Sequence, residues 1–118
     1  MDKLDQIFQL QEALDRRIIE GYRLNYDTET WIQKESLALF VEMAEVLDEV
    51  NYKWWKNPKA VQTDKLKEEL ADVFHFFVSI CLKAGMDAEE LFRIYAAKNE
   101  ENILRQEGLS EAEGYRPE

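Results

Sequence analysis

Residues that interrupt helices are rare in this chain, and they divide it into pieces of helix length. Its 118 residues include four glycines and two prolines. Between these positions apolar residues recur every three or four places, as at Leu37, Phe40, Val41 and Ala44, which is the spacing of one face of an α-helix. No segment alternates apolar and polar residues as a half-buried strand does. The sequence therefore predicts an all-α fold, a four-helix bundle.

The predicted helices have recognisable boundaries. Gly21 is expected to end the first helix as a C-terminal cap, and Thr63 or Asp64 is expected to cap the third. Asp87 and Glu90 have the spacing of a capping box at the start of the fourth helix. The predicted helical ranges are about 2–20, 30–50, 63–84 and 88–106.

The length of the chain suits one compact domain, so residues 1–118 are predicted to form a single all-α domain. The third helix is apolar on most sides after Leu70 and should be its most buried element. Residues 107–118 contain two glycines and a proline, and they are expected to form a loosely ordered tail.

The charge of the chain restricts its partners. It holds 15 Lys and Arg residues against 25 Asp and Glu, a formal net charge of −10, which disfavours nucleic acid or an anionic membrane as partner. The single cysteine, Cys81, excludes an internal disulfide, and the charged N-terminus does not resemble a secretory signal. The longest apolar stretch, residues 73–82, is too short to span a bilayer. A soluble protein in the reducing cytoplasm is expected.

Four acidic residues stand in two pairs within apolar segments. Glu42 and Glu45 lie three positions apart on the second predicted helix. Glu69 and Asp72 repeat this spacing on the third. Side chains three positions apart share one helix face, so facing helices would bring four carboxylates together around a hard cation such as Mg²⁺. The same spacing also arises by chance in an acid-rich chain, as a solvated acidic face.

These pairs belong to a longer pattern. The ExxE motif at residues 42–45 and the ExxD motif at residues 69–72 resemble the signature of the all-α nucleoside triphosphate pyrophosphatases, the superfamily of MazG and the dimeric dUTPases. Further segments resemble the dimeric dUTPases of the compact bacterial or phage type, in the family's order over residues 8–106. These segments are residues 11–15, Trp31, and residues 37–39, 54–56, 75–76, 98–102 and 105–106.

The resemblance implies an activity, a cofactor and a partner. Dimeric dUTPases hydrolyse dUTP to dUMP and pyrophosphate with Mg²⁺, and a homodimer is expected here as well. One of the motif carboxylates, for which we select Glu45, would also orient or deprotonate the attacking water. The metal ions would be held by the carboxylates of the two motifs, which are Glu42, Glu45, Glu69 and Asp72.

The resemblance also assigns residues to the nucleobase. Gln11 would read the uracil edge with its amide and Trp31 would stack on the ring, while His75 would line the same cleft. On the residues alone, Trp31 also fits a core position and His75 a core histidine with satisfied hydrogen bonds. The chain carries Asp15 where many relatives carry Asn, which leaves the contact of this position with the nucleotide open.

Cationic and amide side chains are assigned to the rest of the nucleotide. The resemblance places Lys56, Lys98 and Arg105 against the phosphate chain, where cations are needed. Asn99 and Asn102 are poor helix formers in the middle of a helix, and the resemblance implies contacts to the deoxyribose or the phosphates. The alternative for these asparagines is a solvent-facing position.

Two other functions fit part of the pattern. A related pyrophosphatase acting on dCTP, other nucleotides or phosphoribosyl-ATP would share both acidic motifs, whereas Gln11, Trp31 and residues 98–102 favour uracil. A non-catalytic helical interaction module would also retain the scaffold, although the intact carboxylates and lysines count against it.

Overall fold

The computed structural model describes residues 2–109, and these form four α-helices without a strand. The all-α prediction is therefore confirmed. No helix within the described range combines the length and the apolar character needed to cross a membrane. The helices are α1 (Lys3–Gly21), α2 (Thr28–Glu49), α3 (Thr63–Lys83) and α4 (Ala88–Glu107).

Three of the four helices begin with an aspartate that caps them. Asp2, Asp27 and Asp87 precede α1, α2 and α4, and each carboxylate accepts a hydrogen bond of 2.7–2.8 Å from the backbone N–H three positions later. Each cap satisfies a donor that the first turn of the helix leaves without an intrahelical partner. The predicted start of the fourth helix at Asp87 is confirmed.

Two of the predicted boundaries are wrong. Gln62 is the N-cap residue of α3 and makes no side-chain cap hydrogen bond, because Thr63 and Asp64 already lie within the first turn of the helix. Gly21 does not cap α1, because it is the last helical residue and Tyr22 follows it as the C-cap. The predicted tail falls mainly on residues 110–118, which lie outside the described range.

The helices divide between two compact units, one ending at Gly85 and one starting at Met86. In the first unit α3 packs against both α1 and α2. α3 also holds the two side chains that are fully enclosed, Val78 and Ser79. Hydrogen bonds from His75 to Gln11 and from Ser79 to Asp15 show that α1 and α3 run in the same direction. α4 belongs to the second unit.

The connection between α2 and α3 is anchored at both ends. Asn51 has a positive φ of 59°, and its side-chain amide both donates to and accepts from the backbone of Lys59, at 2.9 Å in each case. The buried carboxylate of Glu49 forms ion pairs with Lys65 at 3.3 Å and with Lys59 at 3.8 Å. These contacts fix the course of residues 50–62 between the two helices that carry the acidic motifs.

Candidate metal and nucleotide site

The acidic motifs of α2 and α3 meet in the first unit. Oxygen atoms of Glu42, Glu69 and Asp72 all lie within 4.8 Å of one another. Glu42 and Glu69 are half-buried, whereas Asp72 is exposed. Asp72 thus stands in an apolar segment of the sequence but is not enclosed, and Phe74 and Phe77 of the same segment are themselves about 40% exposed. The predicted convergence of the two motifs is nevertheless present.

The electrostatics of this acidic cluster favour a bound cation. Desolvation, with the negative charges of Glu45 and Asp72, raises the pKa of Glu42 above its ordinary value. A hydrogen bond with Glu45, desolvation and the same neighbouring charges raise the pKa of Glu69. Glu45 therefore belongs to the cluster, although its side chain is exposed. Converging carboxylates repel one another unless a proton or a cation neutralises them.

Two carboxylate oxygens of the cluster lack the partners that buried polar atoms normally have. The Oε2 atoms of Glu42 and Glu69 are buried and accept no hydrogen bond from the described residues. Buried polar atoms without a partner are rare and costly. The residues present therefore fit a hard divalent cation, since all the available ligand atoms are oxygens of the kind that Mg²⁺ prefers.

A second cluster joins α1 to α3 through a directed chain of hydrogen bonds. The carboxylate of Asp15 accepts a hydrogen bond of 2.9 Å from Nε2 of Gln11. Oε1 of Gln11 lies 2.7 Å from Nδ1 of His75. Because Oε1 can only accept, Nδ1 of His75 donates to it. The carboxylate of Asp15 thus fixes the orientation of the Gln11 amide, and the amide in turn fixes the tautomer of the neutral His75 ring.

Ser79 and Lys83 connect this chain to α2. The hydroxyl of Ser79 lies 2.7 Å from Oδ2 of Asp15 and 2.6 Å from Oε1 of Glu35. The ammonium group of Lys83 lies 3.2 Å from Oδ2 of Asp15, 3.5 Å from Oε1 of Glu35 and 3.3 Å from Oγ of Ser79. All three charged side chains are at most 15% exposed. One ammonium therefore lies between two carboxylates in a largely desolvated space.

This second cluster lines a cavity of about 320 Å³. Its polar side is formed by Gln11, Asp15, Glu35, Ser79 and Lys83, and most of the remaining wall is apolar. The volume lies at the small end of the range for ligand pockets, as expected for a single-ring base.

An aromatic ring forms part of the cavity wall. Trp31 lines the cavity, and the ammonium group of Lys83 lies 4.9 Å from the centroid of its ring. Tyr26 contacts Trp31 edge-on at 5.1 Å. The position of Trp31 is therefore accessible to a ligand in the cavity, and a cation–π contact already occupies part of its ring.

The acidic cluster and the cavity lie along the same pair of helices. Glu35 lies seven residues before Glu42 on α2, and Ser79 lies seven residues after Asp72 on α3. Since Glu35 contacts Ser79 and Glu42 contacts Asp72, the two helices are antiparallel. Seven residues correspond to a rise of about 10 Å. This separation matches a ligand that has an aromatic ring at one end and phosphates at the other.

The predicted substrate residues fall into three places. Gln11, Trp31 and His75 line the cavity described above. Lys56 lies in the connection between α2 and α3, where it lines a second cavity of about 320 Å³ together with Lys53. The remaining predicted residues lie on α4, in the second unit. Of these, Lys98, Asn99 and Asn102 are exposed, and Arg105 forms an ion pair of 3.2 Å with Glu101.

Sequence reasoning missed Glu35, Ser79 and Lys83 as members of the site. A signal was available on α3, where His75, Ser79 and Lys83 follow one another at intervals of four residues. Polar residues at that spacing line one face of a helix, and here they do so in residues 73–83, where the rest of the helix is apolar. Glu35 had no comparable signal, because its partners are 44 and 48 residues away.

Comparison with known proteins shows similarity to three phage proteins. The chain is 35% identical over 75 residues to a dCTP pyrophosphatase of Enterobacteria phage LZ5, covering 64% of this chain and 44% of the relative. It is 44% identical over 43 residues to a dCTP pyrophosphatase of Enterobacteria phage T4, covering 36% and 25%. A DNA replication protein of the same phage is 46% identical over 35 residues, or 30% and 9%.

The chain spans less than half of the length of each of these relatives. No solved structure matches it significantly. A family model described as dUTPase, however, matches residues 3–87, and this range contains all of α1, α2 and α3 with both clusters. The chain therefore belongs to the all-α dUTPase family.

Proposed function

We propose that the protein hydrolyses pyrimidine deoxynucleoside triphosphates, dUTP or dCTP, to the monophosphate and pyrophosphate with Mg²⁺ as cofactor. The observation that carries this proposal is the convergence of Glu42, Glu69 and Asp72 on two antiparallel helices that also line a nucleoside-sized cavity. dUTP is supported by the family of the chain. dCTP is supported by the activities named for the two phage pyrophosphatases.

The acidic cluster is proposed to hold the metal and to move the proton. Glu42, Glu69 and Asp72 bind the cation, with Glu45 beside them. When bound, Mg²⁺ neutralises charge on the phosphates and lowers the pKa of a coordinated water. Glu45 is the proposed base: it accepts a proton from the water as the water oxygen bonds to phosphorus and the bond to the leaving phosphate oxygen breaks. Its exposure leaves it accessible to that water.

The cavity and the basic side chains are proposed to position the nucleotide. Gln11, Trp31 and His75 contact the base, and Lys56 contacts the phosphate chain. Cationic groups near phosphates form charge-assisted hydrogen bonds, which are stronger than neutral ones. From the family resemblance, contacts to the nucleotide are also proposed for four residues of α4, which are Lys98, Asn99, Asn102 and Arg105.

The test is pyrophosphate release from a panel of deoxynucleoside triphosphates with and without Mg²⁺. The variants Glu42→Gln and Glu69→Gln should lower the metal-dependent rate at least about 100-fold, since each removes a ligand. Glu68→Gln is the matched control, because Glu68 is an exposed neighbour on the same helix. If the wild-type protein releases pyrophosphate from none of the nucleotides, the proposal is wrong.

We also propose that the protein is a cytoplasmic homodimer. Leu37, Phe40 and Val41 form one face of α2 and are each more than 60% exposed, and Trp54 is 86% exposed. Contiguous exposed apolar surface of this kind is typical of a protein–protein interface. Sedimentation should give a species of about twice 14.0 kDa, and a stable monomer at micromolar concentration would contradict the dimer.

A further inference from the structure

We infer that the cavity selects a pyrimidine carrying an amine at C4, so that dCTP is preferred to dUTP, and that Asp15 and Glu35 determine this choice. The inference rests on the proposed function, because it names the base that the proposed enzyme accepts. The evidence for it is the balance of hydrogen-bond donors and acceptors among the side chains that line the cavity.

Side chains must identify the base, because the backbone cannot. The lining residues lie within α1, α2 and α3, where N–H groups are already bonded within the helix. Even near the start of α2, the N–H of Trp31 donates to the carbonyl of Asp27 at 3.0 Å. A base in the cavity can therefore be recognised only through side-chain donors and acceptors.

The strongest donors of the cavity are already used. The ammonium group of Lys83 has three hydrogens, and it lies within 3.5 Å of three acceptors, on Asp15, Glu35 and Ser79. Ser79 has one hydroxyl hydrogen for two carboxylate oxygens, those of Asp15 and Glu35. Lys34 also lines the cavity, but it is exposed and its ammonium group lies over the ring of Tyr26 at 4.8 Å.

Acceptors, by contrast, are in surplus. Oε2 of Glu35 is buried and has no hydrogen-bond partner among the described residues. Nδ1 of His75 donates to Gln11, so in the uncharged form of the ring Nε2 is a further acceptor. Asp15 and Glu35 together carry two negative charges against the single positive charge of Lys83. The acceptors of the cavity therefore outnumber the hydrogens of Ser79 and Lys83, and its largely buried charges, which do not include the exposed Lys34, are two negative and one positive.

The two pyrimidines differ in what they offer to such a cavity. Cytosine has an amine at C4, and its two hydrogens can donate hydrogen bonds to two carboxylates at once. Uracil presents one hydrogen, at N3, between two carbonyl oxygens that carboxylates repel. A site whose buried polar groups match one ligand rejects an analogue that leaves them unpaired. The surplus of acceptors therefore favours cytosine.

The test compares kcat/KM for dCTP and dUTP in the wild-type protein and in Asp15→Asn and Glu35→Gln. Each substitution replaces a carboxylate oxygen by an amide that donates, at nearly constant shape. The wild-type protein should prefer dCTP by about 10-fold or more, and each variant should lower that ratio by about 10-fold. Glu12→Gln, at an exposed position on α1 outside the cavity, should leave the ratio unchanged.

Binding of dCMP and dUMP by calorimetry keeps the inference testable apart from catalysis. A wild-type preference for dUTP, or equal preference, overturns the inference. An equal loss for both substrates in both variants also overturns it, because a purely structural role lowers both together. If no nucleotide is hydrolysed, the proposed function fails, and the inference then depends on binding: tighter binding of dCMP supports it, whereas equal or weaker binding refutes it.

Discussion

Replacement of Lys83 by methionine tests whether the buried ammonium neutralises the two carboxylates beside it. Lys83 is 15% exposed, and Asp15 and Glu35 are 13% and 12% exposed, so all three charges are largely removed from water. Removing one partner of a buried ion pair typically costs about 3–5 kcal/mol, because the remaining charge stays buried without compensation. Here two carboxylates would be left, and the methionine side chain keeps most of the apolar contacts of the lysine stem.

The magnitude can be measured as a shift in melting temperature. With about 2.1 cal/mol/K of unfolding entropy per residue, a chain of 118 residues has about 250 cal/mol/K, so a loss of about 3 kcal/mol lowers Tm by about 12 °C. The control is Arg16→Met, which removes an ion pair with Glu12 whose side chains are 62% and 56% exposed. Such a surface pair contributes at most about 1 kcal/mol.

Thermal unfolding followed by circular dichroism in the presence of a chelator gives both values. Adding Asp15→Asn and Glu35→Gln to Lys83→Met removes the stranded charges and should recover most of the lost stability. If Lys83→Met and Arg16→Met lower Tm equally, the ammonium does not neutralise a buried pair. If the triple variant recovers nothing, the loss arises from packing and the electrostatic explanation is refuted.

Three further predictions concern the acidic cluster and the connection that follows α2. Glu42→Gln should leave the Tm of the metal-free protein equal to or above that of the wild type while removing the increase produced by Mg²⁺; a lower metal-free Tm would show that its charge is not repelled. Because the pKa values of Glu42 and Glu69 are raised, their contribution to stability is complete below the ordinary glutamate pKa of about 4.3 and is lost as the pH rises through the raised values. The melting temperature in chelator should therefore fall as the pH rises above about 4.3, more steeply in the wild type than in Glu42→Gln, with Mg²⁺ reversing the fall; equal slopes would contradict this. Asn51→Ala removes two hydrogen bonds to Lys59 and puts alanine at a positive φ that asparagine tolerates better. It should therefore cost about 2 kcal/mol in urea unfolding and speed proteolysis within residues 50–62, whereas Asn51→Gly should lose only the hydrogen bonds.

The fold was predictable because its determinants are local. Apolar spacing every three or four residues defines each helix within a few turns, and Asp87 marks the start of α4 by contacts three residues away. The errors at Gly21 and Thr63 concern one residue each at a helix end. At such ends, several neighbouring residues compete for the same role.

The candidate site was predictable only where its residues pair along one helix. Glu42 and Glu69 can be predicted as site residues because each has an acidic neighbour three positions away in an apolar segment. The hydrogen bonds beside the cavity cannot be predicted in this way, since Ser79 is 64 residues from Asp15 and 44 residues from Glu35 in the sequence. Such contacts depend on how three helices pack, and the spacing of His75, Ser79 and Lys83 on α3 indicates only that these three share a face. The exposure of Asp72 is of the same kind, because it depends on which face of α3 is covered.

The antiparallel pairing of α2 and α3 has a consequence for how this protein can change. The acidic cluster and the cavity lie on the same two helices, about two helical turns apart. The distance between them is therefore set by the rise per residue of the α-helix. Residues 50–62 join α2 to α3 but do not set the distance between the cluster and the cavity. This connection can therefore gain or lose residues without altering the distance between the acidic cluster and the cavity. A shift of α2 against α3 by one residue, by contrast, would disrupt the acidic cluster and the cavity together.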